Sequence, residues 1–498
     1  MSDEARKLSQ LSQLSQLSQQ DAVFLYSDNT HANANITLLH IYDQSTAPGG
    51  VVRFKSILKH IENRLDRLPL LRQKLCRVPL GLDRPYWVDD EDFNLEYHVR
   101  HIALPKPGDW RQFCIQASRI HARPLDRHRP LWEMYVIEGL DAFLDLPASS
   151  FAVLFKIHHA VIDVERGNEI TALLHDIDQV PPAPDVPEPW FPEAPPGDTV
   201  LLARAALRTL LFPLRRIPAL ARTVSSVVPA VFERLREAVK HPEQAVITRF
   251  NTVVSPHRVF ETRRFRLDEC KTIRSLVPDA TVNDVVLAVC GGGLRRYLDL
   301  QGELPEGSLT ATAPIGIRGK GKQDFTLLRV RLGTDIADPV ARLTAIRAQT
   351  AASTVINDAV SARELTDIAR YAPGATVAVT SRMLGYATAQ MGRWAPLANC
   401  SITNVPGPSV PLYLRGARLA YFSAIMPIAD GMGLVFSVTS YDEMLVISFT
   451  GCYEQLPDPE VFAQCVRDSF QEYLAAAGTK NVTPIATARR AAKRRKAA

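Results

Sequence analysis

Residues 151–163 form the stretch that most limits what this chain can become. An apolar run, FAVLFKI, leads directly into two adjacent histidines, His158 and His159, and Asp163 follows four positions later. A short run rich in apolar, β-branched and aromatic residues predicts a buried strand. Because neighbouring side chains of a strand point to opposite faces, the two imidazoles cannot share one space while the chain stays extended. We expect one imidazole to face a cavity and the other to be fixed by packing and hydrogen bonds.

The chemistry of this histidine pair favours a proton acceptor over a metal site. Two adjacent strand histidines do not chelate one ion, and no HExxH motif or Cys/His cluster accompanies them. A single imidazole at the end of a rigid strand, with a carboxylate nearby to fix the local geometry, suits a general base. The alternative is that both histidines are ordinary core or loop residues with satisfied hydrogen bonds, as many short motif matches are.

Four short motifs together resemble one enzyme family. Residues 158–163, HHAVID, are similar to the HHxxxDG motif of the coenzyme A-dependent acyltransferase superfamily, which includes chloramphenicol acetyltransferase-like enzymes and peptide-synthetase condensation domains. Residues 129–133 (RPLWE), 283–284 (ND) and 404–408 (NVPGP) resemble motifs of the bacterial wax ester synthase/diacylglycerol acyltransferases, in the same order and at fitting separations. The resemblance covers residues 17–475. It implies an α/β (α+β) protein with two chloramphenicol acetyltransferase-like domains, mixed sheets flanked by helices, and an active site in a channel between them.

The resemblance also implies roles for residues around the histidine motif. It makes His159 the general base, while His158 orients the loop. In the superfamily the aspartate of the motif is commonly paired with an arginine of a PxxxR stretch, and Pro314 and Arg318 match that spacing. We therefore expect a structural ion pair between Asp163 and Arg318. Removing one partner of a buried pair of this kind costs about 3–5 kcal/mol.

Substrate contacts are implied at three of the motifs. Trp132, with its neighbours Pro130 and Leu131, is expected beside the substrate entrance, and Asn283 at the floor of the channel. Asn283 and Asn404 are also candidates for donating a hydrogen bond to an oxyanion, which acyl transfer requires. Each residue has a structural alternative: Trp132 as a core residue, Asn283 as part of a helix cap, and the stretch around Asn404 as a tight turn.

Several further segments have patterns that predict local structure. Ser18 is placed to cap a short helix that leads into Phe24. A strand is expected over residues 97–104 and a helix over 167–176. Another helix is expected over 282–298 although it contains three consecutive glycines, 291–293. Interior glycines weaken a helix, so we expect another part of the chain to approach its backbone closely there.

The chain divides into five regions by composition. Its length of 498 residues exceeds what one hydrophobic core normally supports. We expect a low-complexity lead-in at 1–17, an N-terminal acyltransferase domain at 18–180, a Pro-rich linker with a basic amphipathic crossover at 181–250, a C-terminal acyltransferase-like domain at 251–478 and a basic tail at 479–498.

The charge and cysteine content limit which partners and which compartment the chain fits. Six of the 58 cations lie in residues 489–496, and the other 52 nearly balance the 53 anions, so the fold itself predicts no nucleic-acid binding. Seven scattered cysteines fit a reducing compartment. No long uncharged apolar run predicts a membrane span, and the first residues lack the basic start and apolar core of a secretory signal, which favours a cytoplasmic location.

Residues 199–240 carry eight cations and two anions among many leucines, which suits peripheral contact with the inner membrane face or with lipid inclusions. A solvated inter-domain helix explains the same pattern.

These features predict an O-acyltransferase that moves a long-chain fatty acyl group from acyl-coenzyme A to a fatty alcohol or diacylglycerol. No metal or cofactor is expected, since acyl-coenzyme A is itself a substrate. Val164 departs from the motif, where relatives carry glycine, and valine restricts the backbone there. Two alternatives stay open: a condensation-like acyltransferase that depends on a carrier protein, and a lipid-surface binding protein with a degenerate site.

Overall fold

Two six-stranded mixed sheets flanked by helices form the framework of the protein. The structure, a computed structural model, describes residues 15–142, 146, 150–162, 164–180, 189–210, 246–317, 324–352, 398–408 and 410–481. The first sheet has the strand order β11 (Tyr413–Leu414), β12 (Ala417–Ile425), β1 (Asn35–Asp43), β6 (Ser150–His158), β5 (Trp132–Leu140) and β4 (Val99–Ala103). The second has the order β7 (Arg258–Arg266), β14 (Met444–Cys452), β13 (Leu434–Tyr441), β10 (Cys400–Pro406), β8 (Thr310–Ile317) and β9 (Asp324–Arg331). The predicted α/β class with mixed sheets is thereby confirmed.

The elements follow one another along the chain without a simple alternation of helices and strands. The helices are α1 (Gln19–Ser27), α2 (Phe54–Glu62), α3 (Leu95–His98), α4 (Trp110–Ala122), α5 (Val164–Leu174), α6 (Asp198–Leu210), α7 (Leu267–Arg274), α8 (Val282–Leu300), α9 (Pro339–Ala352) and α10 (Pro459–Asn481). The strands are β1 (Asn35–Asp43), β2 (Gln73–Cys76), β3 (Tyr86–Asp89), β4 (Val99–Ala103), β5 (Trp132–Leu140), β6 (Ser150–His158), β7 (Arg258–Arg266), β8 (Thr310–Ile317), β9 (Asp324–Arg331), β10 (Cys400–Pro406), β11 (Tyr413–Leu414), β12 (Ala417–Ile425), β13 (Leu434–Tyr441) and β14 (Met444–Cys452).

The first sheet places the histidine strand near its centre. Strand β6 pairs antiparallel with β1 on one side and with β5 on the other, and all nine of its residues are buried. Burial on both faces is why the sequence reads as a continuous apolar run instead of an alternating one. Strand β12 comes from the C-terminal part of the chain, yet it pairs antiparallel with β1. The two halves of the chain therefore share this sheet, and the predicted domain limits remain predictions.

Local sequence signals explain most element boundaries, with two differences from expectation. Residues 95–98 form a helical turn, and the strand expected over 97–104 starts only at Val99, because the Asn94 side chain accepts the Glu96 N–H and caps that turn. Helix α5 spans Val164–Leu174 instead of 167–176, because Asp176 leaves the helical path to pair its backbone with Tyr413. Ser18 caps α1 through the Asp21 N–H, as expected.

The three glycines of α8 are required by close packing. A Cβ atom on Gly291 would overlap the backbone oxygen of Leu332, and one on Gly292 would overlap the Ser469 side chain of α10. Helices α8 and α10 therefore approach more closely than residues with side chains permit, which confirms the expected close contact.

The outer segments are only partly described. Of the crossover over 181–250, residues 189–197 have no regular structure and residues 198–210 form α6, while 181–188 and 211–245 lie outside the described residues. Most of the lead-in (1–14) and of the basic tail (482–498) also lie outside them. Among the helices that the structure describes, none is both long and apolar enough to cross a bilayer.

Candidate active site

The two histidines stand at the end of β6 and have different surroundings. His158 is the last residue of the strand and is only 2% exposed, whereas His159 follows it and is half-buried. The backbone fixes both: the His158 N–H donates to Leu131 O at 3.0 Å, and the His159 N–H donates to Ala34 O at 2.8 Å. This pair of hydrogen bonds ties the histidine turn to the residue before β5 on one side and to the residue before β1 on the other.

The His158 ring has no free nitrogen. Its Nδ1 accepts the Ala160 N–H at 3.1 Å, so the ring proton is on Nε2, which donates to Asp28 Oδ2 at 3.0 Å. This assignment of the tautomer follows from Ala160, because a backbone N–H can only donate. His158 is therefore a positioning residue with a fixed ring orientation.

Asp28 organises the turn from two directions. Its Oδ2 also accepts from Arg127 Nη2 at 2.9 Å, and its Oδ1 accepts the Ala34 N–H at 2.7 Å. Because Ala34 O in turn accepts the His159 N–H, one carboxylate holds the His158 ring directly and the His159 backbone through one residue. The Asp28 side chain is 7% exposed, so these bonds lie in a region of low dielectric, where they are strong.

The His159 ring is neutral and partly open. It stacks on Phe24 of α1 with 3.7 Å between ring centroids and 20° between the planes. Burial lowers the pKa of His159 to about 4; its own backbone carbonyl opposes this shift and His158 adds to it. Its Nδ1 is buried and has no hydrogen-bond partner among the described residues. The ring is nevertheless only half-buried, so it is not sealed in the core.

An ion pair between Asp163 and Arg318 is the predicted support of the histidine motif. Asp163 and Arg318 both lie outside the described residues, so their ion pair remains a prediction. The carboxylate that contacts the motif within the described chain is Asp28, which lies 130 positions before His158.

The structure places the tryptophan motif in the core of the first sheet. Pro130 is buried, and Leu131 and Trp132 are each 1% exposed. The Trp132 indole donates to Leu71 O at 2.8 Å and stacks on His98 with a centroid distance of 4.6 Å. Its packing and hydrogen bond account for Trp132 structurally, while contact of these three residues with substrate remains a prediction.

The two asparagines that the motifs single out, Asn283 and Asn404, are both exposed. Asn283 lies in the first turn of α8, where Thr281 and Asp284 form the capping box. Asp284 is 1% exposed and also accepts from Thr350 Oγ1 at 2.7 Å, so it has a structural role. Asn404 is an exposed residue of β10. In the described part of the chain no hydrogen bond joins Asn283 or Asn404 to His159, and their oxyanion role remains a prediction.

The described residues hold no group of three or more His, Cys, Asp or Glu side chains arranged to bind a metal ion. The donor atoms at the histidine turn are engaged in other ways: His158 uses both ring nitrogens, and Asp28 accepts three hydrogen bonds. His159 is the ring of this turn whose Nδ1 has no hydrogen-bond partner in the described chain.

Sequence reasoning missed Asp28 and Phe24 as site residues. Both follow the capped start of α1, and the only signal was an acidic residue placed directly after an apolar helix, FLYSD. Nothing in that signal names the histidine turn as the partner, because the contact is made only in the folded chain.

Family models and related proteins show which family the chain resembles. A model of the wax ester synthase/diacylglycerol acyltransferase catalytic domain matches residues 17–286, and a model of the C-terminal domain of the same family matches residues 323–473. A candidate diacylglycerol O-acyltransferase of Mycobacterium tuberculosis is 32% identical over 88% of this chain and 86% of the relative. Another from the same organism is 32% identical over 96% of this chain and 99% of the relative.

Solved structures support the same conclusion. The wax ester synthase/diacylglycerol acyltransferase from Marinobacter aquaeolei VT8 superposes with a TM-score of 0.66 at 25% identity and covers 93% of this chain and 100% of that one. The trichothecene 15-O-acetyltransferase TRI3 from Fusarium sporotrichioides shares the fold, with a TM-score of 0.55 at 11% identity over 93% of this chain and 94% of that one. On these matches, the chain belongs to the wax ester synthase/diacylglycerol acyltransferase family.

Proposed function

We propose that this protein transfers a long-chain acyl group from acyl-coenzyme A to the hydroxyl of a long-chain alcohol or of diacylglycerol, giving a wax ester or a triacylglycerol. Membership of the family supports acyl-coenzyme A-dependent O-acyl transfer. The observation that carries the residue assignment is the neutral, half-buried His159 ring on a rigidly held turn.

The reaction uses His159 as the base. Its imidazole takes the proton of the substrate hydroxyl as the oxygen attacks the thioester carbonyl, which forms a C–O bond and a tetrahedral oxyanion. Collapse of this intermediate breaks the C–S bond and releases the coenzyme A thiolate, which takes the proton back from His159. No acyl-enzyme forms, and the ring returns to its neutral state.

The low pKa of His159 favours the second half of this cycle. A ring whose pKa is about 4 is unprotonated at neutral pH and therefore ready to accept a proton. It is a weak base in this environment, but the imidazolium that forms is a correspondingly strong acid toward the leaving thiolate. The oxyanion needs a separate donor, and Asn283 and Asn404 are the candidates carried by the family motifs.

A turnover assay tests the assignment. Purified protein is given palmitoyl-coenzyme A with hexadecanol, or with dioleoylglycerol, and ester is measured for wild type and His159→Gln. We expect His159→Gln to lose ester formation by a factor of about 100 or more. The matched control is His257→Gln, because His257 is a surface histidine with 72% of its side chain exposed. Equal loss in both variants, or full activity of His159→Gln, would refute the role of His159.

The same assay addresses the carrier-protein alternative. An acyl thioester on a carrier-protein phosphopantetheine replaces acyl-coenzyme A in a second arm. The family matches favour coenzyme A as the acyl carrier, so we expect turnover with palmitoyl-coenzyme A to exceed turnover with the carrier-bound thioester.

We also propose peripheral contact with a lipid surface, made by α6 and the loop beside it. Leu201 of α6 packs in one small cluster with Val78, and the adjacent loop presents Leu80 and Leu82 at 91% and 43% exposure. Leu207 of α6 is 56% exposed. In the sequence, α6 begins the basic stretch 199–240, and exposed leucines combined with basic residues suit an anionic lipid surface. Co-sedimentation with vesicles of anionic phospholipid should weaken for a Leu80→Ser/Leu82→Ser double variant, and unchanged co-sedimentation would contradict the proposal.

A further inference from the structure

The 28–34 loop, between α1 and β1, supports the histidine turn and also contacts the C-terminal part of the chain. On the side of the turn, Asp28 Oδ2 accepts from His158 Nε2, and Ala34 O accepts the His159 N–H. On its other side, the loop contacts residues that follow position 250. It is therefore a physical connection between the candidate base and the second half of the chain.

Hydrogen bonds within the 28–34 loop close it into a compact unit. Asp28 Oδ1 accepts the Ala34 N–H at 2.7 Å, which joins the two ends of the loop. Asn29 Oδ1 accepts the N–H groups of His31 at 3.0 Å and of Ala32 at 2.6 Å. The Asn29 N–H donates to Ala32 O at 2.8 Å. An asparagine that binds the backbone two residues on fixes a turn, so we expect a displacement of one loop residue to move the whole loop.

Asp430 binds this loop through the His31 side chain. His31 Nε2 lies 3.0 Å from Asp430 Oδ2, and a carboxylate oxygen only accepts, so the imidazole donates. Asp430 is itself fixed, because its Oδ1 accepts the Val254 N–H at 3.0 Å and the next N–H, of Gly431, donates to Thr252 O at 3.0 Å. The Asp430 side chain is 14% exposed, so the bond to His31 is partly shielded from water and correspondingly strong.

Two further contacts fix the loop at the same place. Arg258, the first residue of β7, donates from Nη2 to His31 O at 2.5 Å. Ala32 is buried in a small apolar cluster whose other members all belong to the C-terminal part of the chain: Val254, Ile428, Val435 and Cys452. Asp430 lies in the connection 426–433, which leads from β12 of the first sheet to β13 of the second. The loop is therefore held where the chain passes from one sheet to the other.

The path from this contact to the candidate base is short. His31 lies three residues before Ala34, whose carbonyl accepts the His159 N–H. Because Asp28 and Ala34 are joined, a shift of the loop at His31 reaches both residues that hold the histidine turn. A misplacement of a reacting group by about 1 Å can cost about 100-fold in rate. Loss of the contact with Asp430 should therefore slow the reaction without removing any group that reacts.

We propose that His31 and Asp430 are positioning residues for acyl transfer, and that their hydrogen bond holds the 28–34 loop, and through it His159, in the reactive arrangement. The assignment rests on the proposed function, because it takes His159 as the base. It requires neither His31 nor Asp430 to touch a substrate. The C-terminal part of the chain then contributes to catalysis by fixing the histidine turn of the N-terminal part.

Steady-state kinetics of two His31 variants test this role. His31→Ala removes the donor to Asp430, whereas His31→Gln keeps an N–H donor of similar reach. We expect His31→Ala to lower kcat about 5- to 20-fold with little change in KM for palmitoyl-coenzyme A, and His31→Gln to recover most of the loss. A wild-type kcat in His31→Ala, or a change in KM alone, which would indicate direct contact with substrate, overturns the proposal.

The matched control is a bond of the same kind elsewhere on the first sheet. His101 Nε2 of β4 lies 3.0 Å from Glu138 Oε1 of β5, and both side chains are exposed. His101→Ala should therefore leave kcat unchanged. A loss of kcat equal to that of His31→Ala would show that the effect is not specific to the 28–34 loop, and it would overturn the proposal.

A second variant breaks the same bond from the other side. Asp430→Ala should lower kcat by at least as much as His31→Ala, because it also removes the acceptor of the Val254 N–H. If the two residues act through one contact, the double variant His31→Ala/Asp430→Ala should be no slower than Asp430→Ala alone. Losses that multiply in the double variant would show that the residues act separately, which contradicts the proposal.

Hydrogen exchange at the His159 amide gives a measurement that needs no turnover. This N–H donates to Ala34 O at 2.8 Å, so release of the loop in His31→Ala should speed its exchange about tenfold, while amides in the middle of β6 exchange as in wild type. Faster exchange in His31→Ala, when the wild type makes no ester, supports the contact and refutes the proposed function. Ester formation with unchanged kcat and unchanged exchange supports the function and refutes the contact.

Discussion

Replacing Asp28 is the most direct test of how the histidine turn is held. Asp28→Ala removes the acceptor for three donors: His158 Nε2, Arg127 Nη2 and the Ala34 N–H. The His158 side chain is 3% exposed, so its N–H is left without a partner in the core, at about 1–3 kcal/mol. Arg127 is 35% exposed, and water compensates most of its loss. The lost bond from Ala34 adds about 1 kcal/mol. We therefore expect Asp28→Ala to lower the free energy of unfolding by about 3 kcal/mol.

The Asp28→Asn variant distinguishes the effect of Asp28 on protein stability from its effect on the position of the histidine turn. The amide oxygen can still accept the Ala34 N–H, but its NH₂ group faces two donors, those of His158 and Arg127, so the ring of His158 is no longer held. If Asp28 fixes the turn that presents His159, kcat should fall about 10- to 100-fold, with a much smaller change in KM for palmitoyl-coenzyme A.

Unfolding in urea and steady-state ester formation at pH 7 measure the two effects. The matched control is Asp268→Asn, which breaks an exposed ion pair with Arg266 and should leave kcat unchanged. A folded Asp28→Asn protein with wild-type kcat would show that Asp28 contributes to stability alone, and the reasoning about the histidine turn would be wrong.

Three further predictions follow from burial and packing. Burial lowers the pKa values of His121 to about 3 and of His175 to about 4, so the unfolded chain binds more protons than the folded one below about pH 6.5. Each residue should then cost about 2 kcal/mol of stability at pH 5, and urea midpoints independent of pH between 7 and 5 would contradict this. Phe24→Ala uncovers the His159 ring, so its pKa should rise from about 4 toward the usual value and the acid limb of kcat/KM should move to higher pH; an NMR titration of the ring that shows no rise would refute it. Gly292→Ala should lower the unfolding free energy by about 1–3 kcal/mol despite the better helix propensity of alanine, because the new methyl group overlaps α10, and a thermal melt equal to wild type would contradict that packing.

The features that the sequence predicts well are those carried by neighbouring residues. The apolar run before His158 predicts β6, and the glycines of α8 predict the close approach of another part of the chain, because each depends on a local pattern that tertiary packing then uses. The partner of His158, in contrast, is not predicted by any local pattern. Asp28 is separated from it by 130 positions, and no spacing rule links a residue after α1 to the end of β6.

The same reason explains why the role of Trp132 is hard to read from its motif. A tryptophan in a strand suits either a core or a binding surface, and only the contact of its indole with Leu71 O shows how the ring is held.

The hydrogen bonds around the two rings decide which histidine can act as a base. A His158–Asp28 pair is the arrangement expected of a general base oriented by a carboxylate. A base also needs a nitrogen lone pair facing the substrate, and His158 has none, because its Nδ1 accepts the Ala160 N–H and its Nε2 carries the proton given to Asp28. His159 has a neutral ring that is partly open, and its Nδ1 has no hydrogen-bond partner in the described chain. In the proposed mechanism, the buried Asp28 carboxylate therefore positions His159 by holding His158, and His159 is the ring that takes the proton.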